Sequence, residues 1–165
     1  MRIALLPIAA AALLLAACES DKPANTAAVT TNNPTTTPPA ATGIRPGSIE
    51  DFRVNVGDRV FFAYDKFDLS ADARRTLERQ AAWLKQYASV RLAVEGHADE
   101  RGTREYNLAL GERRANAAKD YLVALGVPAS RLTTVSYGKE RPSVLGSNEA
   151  AWSQNRRGVS VPAVQ

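Results

Sequence analysis

The sequence predicts a domain of the α/β class, an α+β sandwich in which helices pack on one face of a mixed β-sheet. Segments with alternating apolar residues are followed by segments with apolar residues at helical spacing, and capping residues or glycines separate them. Residues 19–47, by contrast, are rich in Thr, Pro, Ala and Asn and almost lack large apolar side chains. Such a segment cannot bury enough surface to fold, so we expect a disordered tether before the domain. We therefore divide the chain into residues 1–17, 18–47 and 48–165.

Residues 1–17 have the features of a targeting segment. Arg2 supplies a positive charge, and the apolar run behind it is shorter than the roughly 20 residues that a transmembrane helix needs. Leu15-Ala16-Ala17-Cys18 is similar to the lipobox at which bacterial lipoproteins are cleaved, and the alternative is an ordinary secretory signal with an incidental cysteine. Cys18 is the only cysteine, so it has no disulfide partner in the chain. Acylation of Cys18 would anchor the chain, and Glu19 after it indicates the outer membrane by the common sorting rule.

The tether and the net charge restrict the expected partners. Pro34, Pro38 and Pro39 stiffen the tether toward polyproline geometry, at about 3 Å per residue, so it could hold the domain tens of ångströms from a membrane. The net charge of +4 suits anionic lipid, nucleic acid or an acidic polymer equally. Basic and aromatic residues are not interleaved as in single-strand binders, so we do not expect nucleic acid as a partner.

The first elements of the domain are predicted to be two strands. Phe52, Val54 and Val56 alternate with polar residues and end at the turn residues Gly57-Asp58. Residues 60–64 form the next strand, and we expect the two strands to pair as a short hairpin.

A helix follows and leads into a central strand. Ser70 is the predicted N-cap, with Asp72 in the first turn where the helix dipole favours a negative charge. Trp83 is expected at the edge of the apolar stripe, and residues 90–94 have the pattern of a half-buried strand. The stripe itself contains Leu77, Ala81, Leu84 and Tyr87.

The second half of the domain is predicted to alternate helices and strands. Thr103 is the predicted N-cap of a long helix that ends at Gly126, with Pro128 just beyond it. Residues 132–137 form the third main strand, Ser147 or Asn148 begins a short helix through Gln154, and residues 158–161 form the last strand.

The loop between the central strand and the long helix contains the main candidate site. Asp99 lies in this loop, and Asn107, Leu110 and Arg114 share one face of the helix because of their spacing. Asp99 and Arg114 therefore face one cavity if the helix packs on the strand. They form either a simple ion pair or a clamp, in which the carboxylate takes a ligand ammonium and the guanidinium fork takes a ligand carboxylate.

Other polar residues near this loop have less specific interpretations. Asp65 follows a strand, where α/β folds place ligand sites, but it also suits a turn that bonds its own backbone. His97 is the only histidine, and zinc sites take three or four ligands that are mostly Cys or His, so we expect no metal. An acid/base pair of a glycan hydrolase is conceivable, although no spacing selects it, among Asp65, Asp68, Glu95 and Asp99.

The stretch GHADERGTREYNLALGERRA resembles the peptidoglycan-binding motif of the OmpA-like domain family, in particular its version in the peptidoglycan-associated (Pal) lipoproteins. The sequences YGKERP and SNEAAWSQNRR extend the resemblance, which covers nearly all of residues 48–161. It implies the OmpA-like fold, no catalysis and no cofactor. The resemblance further implies that Asp99 and Arg114 hold the diaminopimelate of a peptide stem, an amino acid that ends in an ammonium and a carboxylate on one carbon.

The same resemblance assigns supporting residues and partners. Tyr64 and Asp65 match a loop that touches the stem, Asn107 matches a supporting amide, and Leu110 is either core or an apolar wall of the pocket. Ala63, and Tyr64 in place of the more common Phe, are mild departures.

The implied system is Tol-Pal, acting in envelope integrity and cell division, in which TolB and peptidoglycan would compete for one surface. The alternative is an OmpA-like lipoprotein outside that system.

Overall fold

The computed structural model describes residues 43–163. The predicted targeting segment, Cys18 and most of the tether lie outside these residues. The described helices are α1 (Ile49–Asp51), which continues into a π-helical turn (Phe52–Gly57), α2 (Ala71–Gln86), α3 (Arg104–Ala124) and α4 (Glu149–Asn155), with a 3-10 turn at Ala129–Arg131. The strands are β1 (Arg59–Phe61), β2 (Arg91–His97), β3 (Leu132–Gly138) and β4 (Arg157–Ala163).

The four strands form one mixed sheet in the order β1-β4-β2-β3. Strands β2 and β3 are parallel, whereas β4 runs antiparallel to both of its neighbours. Val94 at the centre of the sheet pairs with Thr134 on one side and with Ser160 on the other. The core lies between the sheet and helices α2 and α3, so the predicted mixed sheet with helices on one face is confirmed. Its fully buried side chains include Leu77, Leu84, Leu92, Val94, Ala115 and Leu122.

The two long helices begin where the sequence predicts. The side chain of Ser70 accepts a hydrogen bond from the backbone of Ala73, and that of Thr103 accepts one from Tyr106. Gly126 follows the end of α3 with φ of 91°, a left-handed conformation that glycine adopts without strain. Local capping chemistry therefore fixes the start of α3, the helix that forms one wall of the site.

The predicted strand at Phe52–Val56, and with it the hairpin, is wrong, because this segment is helical. Phe52 is fully buried and Val56 half-buried, four residues apart on one side of a helical turn, while Val54 between them is 62% exposed. The aromatic ring of Phe52 packs edge-on against Trp83, with 4.9 Å between centroids. Trp83 is consequently buried rather than at the edge of α2, and its indole N–H donates to Asp51 at 2.8 Å. Strand β1 pairs with β4 instead.

A glycine pair sets how closely α3 approaches β2. A Cβ atom added to Gly96 would lie 1.8 Å from the carbonyl oxygen of Gly111, a distance at which two heavy atoms overlap. Only glycine at position 96 allows the helix to pass this near to the strand. The contact brings the first turns of α3 over the end of β2.

The tether joins the domain at the opposite end of β2 from the loop that contains Asp99. Gly47 lies against the ring of Tyr87, and the carbonyl oxygen of Tyr87 accepts the backbone N–H of Val90, just before β2 begins. A strand of this length spans roughly 20 Å. Among residues 43–163, no helix has the length and apolarity needed to cross a membrane.

Candidate functional site

One cavity of about 170 Å³ lies where the loop before α2, the loop after β2 and the start of α3 meet. This volume is below that of a typical drug-sized pocket and suits one small polar group. All six predicted binding residues line it, together with three residues that were not predicted. The lining residues are Tyr64, Asp65, Asp99, Arg101, Gly102, Tyr106, Asn107, Leu110 and Arg114.

Arg114 forms a rigid part of the cavity wall. It is fully buried, and its guanidinium donates to the backbone oxygens of Lys66 at 2.8 Å, His97 at 2.8 Å and Ala63 at 3.1 Å. A guanidinium has five N–H groups, so two remain for a ligand. Burial lowers the pKa of Arg114 to about 10, which leaves it cationic at neutral pH. The three carbonyl contacts hold this cation in place before any ligand arrives.

Asp99 is also buried and already has cationic partners. Its Oδ1 accepts the backbone N–H and the Nε of Arg101, both at 3.1 Å, and its Oδ2 accepts Nη2 of Arg101 at 2.6 Å. Nη1 of Arg156 lies 3.4 Å from the same Oδ2. Burial by itself would raise the pKa of Asp99, but the hydrogen bonds from Arg101 outweigh it and hold the pKa below its ordinary value. Asp99 is therefore a carboxylate.

Asp99 and Arg114 face the same cavity without forming a direct ion pair with each other. The ion pairs of Asp99 are with Arg101 and Arg156. The interpretation of Asp99 and Arg114 as a simple ion pair is thus wrong, because Asp99 pairs with other arginines. What the two residues share is a cavity with a carboxylate and a guanidinium in its walls.

Arg101 closes one side of the cavity within a stack of aromatic rings. Its guanidinium carbon lies 4.0 Å from the centroid of Tyr64 and 4.0 Å from that of Trp152. The indole N–H of Trp152 donates to Glu100 at 3.0 Å, which fixes the ring. Favourable cation–π geometry on both faces and two bonds to Asp99 hold Arg101 in one orientation. Arg101 was not among the predicted binding residues, although it lies within the same motif.

The opposite rim joins the loop before α2 to helix α3. The hydroxyl of Tyr106 donates to the carboxylate of Asp65, and this bond raises the pKa of Tyr106. Asp65 has φ of 56°, a left-handed conformation that is common in Asp at turns. Both interpretations of Asp65 are therefore compatible with its position, which is a turn residue on the cavity rim.

Asn107 and Leu110 support the cavity from the helix. The amide nitrogen of Asn107 donates to the backbone oxygens of Arg101 at 2.8 Å and Thr103 at 3.1 Å, so it holds the loop that carries Asp99. Leu110 is buried and forms an apolar part of the wall.

His97 and the remaining carboxylates lie outside the cavity. His97 is 2% exposed, and its ring nitrogens have no hydrogen-bond partner among the described residues, although Nε2 lies 3.5 Å from Oε2 of Glu95. Burial, and after it the nearby charges of Arg157 and Arg141, lower the pKa of His97 to about 4. Residues 43–163 contain no cluster of three His, Cys, Asp or Glu side chains that could hold a metal ion. Of the four carboxylates considered for acid/base chemistry, only Asp65 and Asp99 line the cavity.

Comparison with known proteins agrees with this architecture. The sequence profile of the OmpA family matches residues 61–156. The peptidoglycan-associated lipoprotein of Agrobacterium fabrum is 60% identical over 116 residues, which cover 70% of this chain and 66% of that protein. The peptidoglycan-associated lipoprotein of Mesorhizobium japonicum is 62% identical over 115 residues, which cover 70% of this chain and 68% of that protein.

A solved structure has the same fold. The crystal structure of the peptidoglycan-associated lipoprotein from Burkholderia pseudomallei superposes with a TM-score of 0.63 at 40% identity, covering 64% of this chain and 90% of that one. The chain therefore belongs to the OmpA family and, within it, to the peptidoglycan-associated lipoproteins.

Proposed function

We propose that the folded domain binds peptidoglycan noncovalently, through the diaminopimelate of a stem peptide. The observation that carries this proposal is a small cavity with Asp99 and Arg114 in its walls, in a chain whose relatives are named for their association with peptidoglycan. The free end of diaminopimelate carries an ammonium and a carboxylate on one carbon. Asp99 would take the ammonium, and the two remaining N–H groups of Arg114 would take the carboxylate.

The cavity is organised in advance for such a ligand. Arg114 is held by three backbone carbonyls, so little side-chain entropy is lost when it binds a carboxylate. An ammonium at Asp99 has to share the carboxylate with Arg101 and Arg156 or displace one of them. The longest of the existing contacts is that with Arg156, at 3.4 Å. A ligand cation would therefore displace Arg156 from Asp99 at a smaller cost in free energy than Arg101.

We further propose that Cys18 carries the lipid anchor in the outer membrane and that the domain faces the periplasm. Residues 18–47 would link the two, and an extended chain of that length reaches on the order of 90 Å. Residues 43–47 join the domain at the end of β2 opposite the cavity, near Tyr87. This arrangement leaves the cavity accessible to the cell wall. The protein would connect outer membrane and wall without catalysing a reaction.

Within the envelope, the proposed system is Tol-Pal, with TolB as a partner that competes with peptidoglycan for the cavity surface. The second candidate is an OmpA-like lipoprotein that binds peptidoglycan outside this system. Capture of purified TolB by the chain, and its release by soluble stem peptide, distinguishes the two.

The test of the proposed function is co-sedimentation of the lipidated chain, held in detergent, with purified peptidoglycan. Wild type should pellet with the wall and release no soluble muropeptides. Asp99→Asn keeps the shape of the side chain but removes its charge, and we expect it to remain mostly in the supernatant. Asp72→Asn, which removes a negative charge from the exposed first turn of α2, is the matched charge control and should pellet like wild type. Equal pelleting of Asp99→Asn and wild type would place the binding site elsewhere, and muropeptide release would indicate an enzyme.

A further inference from the structure

Arg113 is a cation at the rim of the cavity that the proposed clamp does not use. Its guanidinium carbon lies 5.5 Å from the centroid of Phe67 and 6.0 Å from that of Tyr106, one of the cavity walls. Within residues 43–163, no carboxylate comes within 4.0 Å of this guanidinium, and no acceptor takes a hydrogen bond from it. Arg113 is exposed, so its N–H groups are available beside the ring of Tyr106, just outside the cavity lining.

The aromatic neighbours orient Arg113 without occupying its donors. A ring attracts a guanidinium through its quadrupole and takes none of its in-plane N–H groups. Arg101, on the other side of the cavity, lies closer to its rings, at 4.0 Å from each centroid, and uses its N–H groups on Asp99. The two arginines thus differ in function, since Arg101 is satisfied internally and Arg113 is available to an external acceptor.

The charges around the cavity favour a ligand with an excess of carboxylates. Asp99 is neutralised by Arg101 and Arg156, and Asp65 is bonded to Tyr106. Diaminopimelate bound through its free end is a zwitterion, so its binding would leave Arg113 without an acidic partner. The cationic side chains at or beside the cavity include Arg101, Arg113, Arg114, Arg156 and Lys139, of which Arg156 also pairs with Glu149.

We infer that Arg113 binds a second carboxylate of the stem, the free α-carboxylate of the γ-linked D-glutamate that precedes diaminopimelate. This inference rests on the proposed function. That carboxylate is about 10 bonds from the clamped carbon, roughly 12 Å in extended form, so a stem that leaves the cavity over the ring of Tyr106 would bring it to Arg113. Arg113 would make the site specific for stems whose glutamate is free rather than amidated.

The test compares two soluble stem peptides that differ only in this group, one with D-glutamate and one with D-isoglutamine. Isothermal titration of the full chain should give about two- to fivefold tighter binding of the glutamate stem, the range of a partly exposed ion pair. Arg113→Gln should weaken the glutamate stem to the level of the amidated one and leave the amidated stem unchanged. Added salt should reduce the preference in wild type.

The outcomes separate this inference from the function on which it rests. Arg75→Gln, an exposed arginine on α2, should keep the wild-type preference for the glutamate stem. Equal binding of both stems by wild type would overturn the role of Arg113 while the diaminopimelate clamp stands. A preference that survives in Arg113→Gln, or equal weakening of both stems by this substitution, would also refute it. Failure of wild type to bind either stem would refute the clamp itself.

Discussion

The buried histidine makes a quantitative prediction about how stability depends on pH. His97 is neutral in the folded state because burial lowers its pKa to about 4, whereas the unfolded value is near 6.5. Above pH 6.5 both states are neutral and stability does not depend on this group. As the pH falls from 6.5 toward 4, the unfolded state binds a proton that the folded state does not, so stability decreases. Linkage between these two pKa values gives a loss of about 2 kcal/mol at pH 5 and about 3 kcal/mol by pH 4.

Urea denaturation followed by fluorescence at pH 7 and pH 5 measures this effect. His97 is the only histidine in the chain, and few carboxylates titrate above pH 5, so the interval reports mainly on this side chain. His97→Leu is the matched variant, because the ring nitrogens have no hydrogen-bond partner among the described residues. It removes only a 3.5 Å contact between Nε2 and the half-buried carboxylate of Glu95. We expect its stability at pH 7 to lie within about 1.5 kcal/mol of wild type.

The free energy of unfolding of His97→Leu should change little between pH 7 and pH 5. If wild type is equally stable at both pH values, His97 is not desolvated as described and the reasoning fails. If His97→Leu shows the same loss as wild type, another group is responsible.

Three further predictions concern packing, capping and the aromatic stack. Gly96→Ala forces α3 away from β2, because its Cβ would lie 1.8 Å from a carbonyl oxygen, and urea denaturation should show a loss of about 3 kcal/mol or more; a loss below 1 kcal/mol would contradict the close contact. Ser70→Ala removes the N-cap of α2 and should cost about 1 kcal/mol, which Ser70→Asp should largely avoid. Trp152→Ala removes one face of the Arg101 stack, so stem-peptide affinity in titration calorimetry should fall about two- to fivefold with the fold intact; unchanged affinity would separate this stack from binding.

Much of the fold could be predicted because its signals are local. Ser70 and Thr103 cap the helices that follow them within three residues, and Gly126 ends α3. The strand prediction for the segment from Phe52 to Val56 was wrong because its apolar residues fit both a strand and one side of a helical turn. Contact with Trp83, which lies far along the chain, decides between the two, and no local pattern reveals it.

In the candidate site, too, the residues of one local motif could be predicted and their distant partners could not. Asp99, Asn107 and Arg114 belong to one continuous motif. Helix geometry places Asn107 and Arg114 on one face, and Asp99 joins them once the helix packs on the strand before it. Their partners come from distant segments: the contact of Arg156 with Asp99 joins residues 57 apart, and that of Tyr106 with Asp65 joins residues 41 apart. Those pairings depend on the sheet order, which places β4 between β1 and β2 and was not evident from the sequence.

The most direct test of the proposed clamp is the affinity for two stem peptides that differ in one carboxylate. Lysine has the side-chain ammonium of diaminopimelate but lacks the carboxylate that Arg114 would hold. In titration calorimetry with the full chain, we expect the lysine stem to bind about 10- to 100-fold more weakly than the diaminopimelate stem, as for loss of a hydrogen-bonded charged group. Equal affinity for the two stems would contradict the clamp between Asp99 and Arg114.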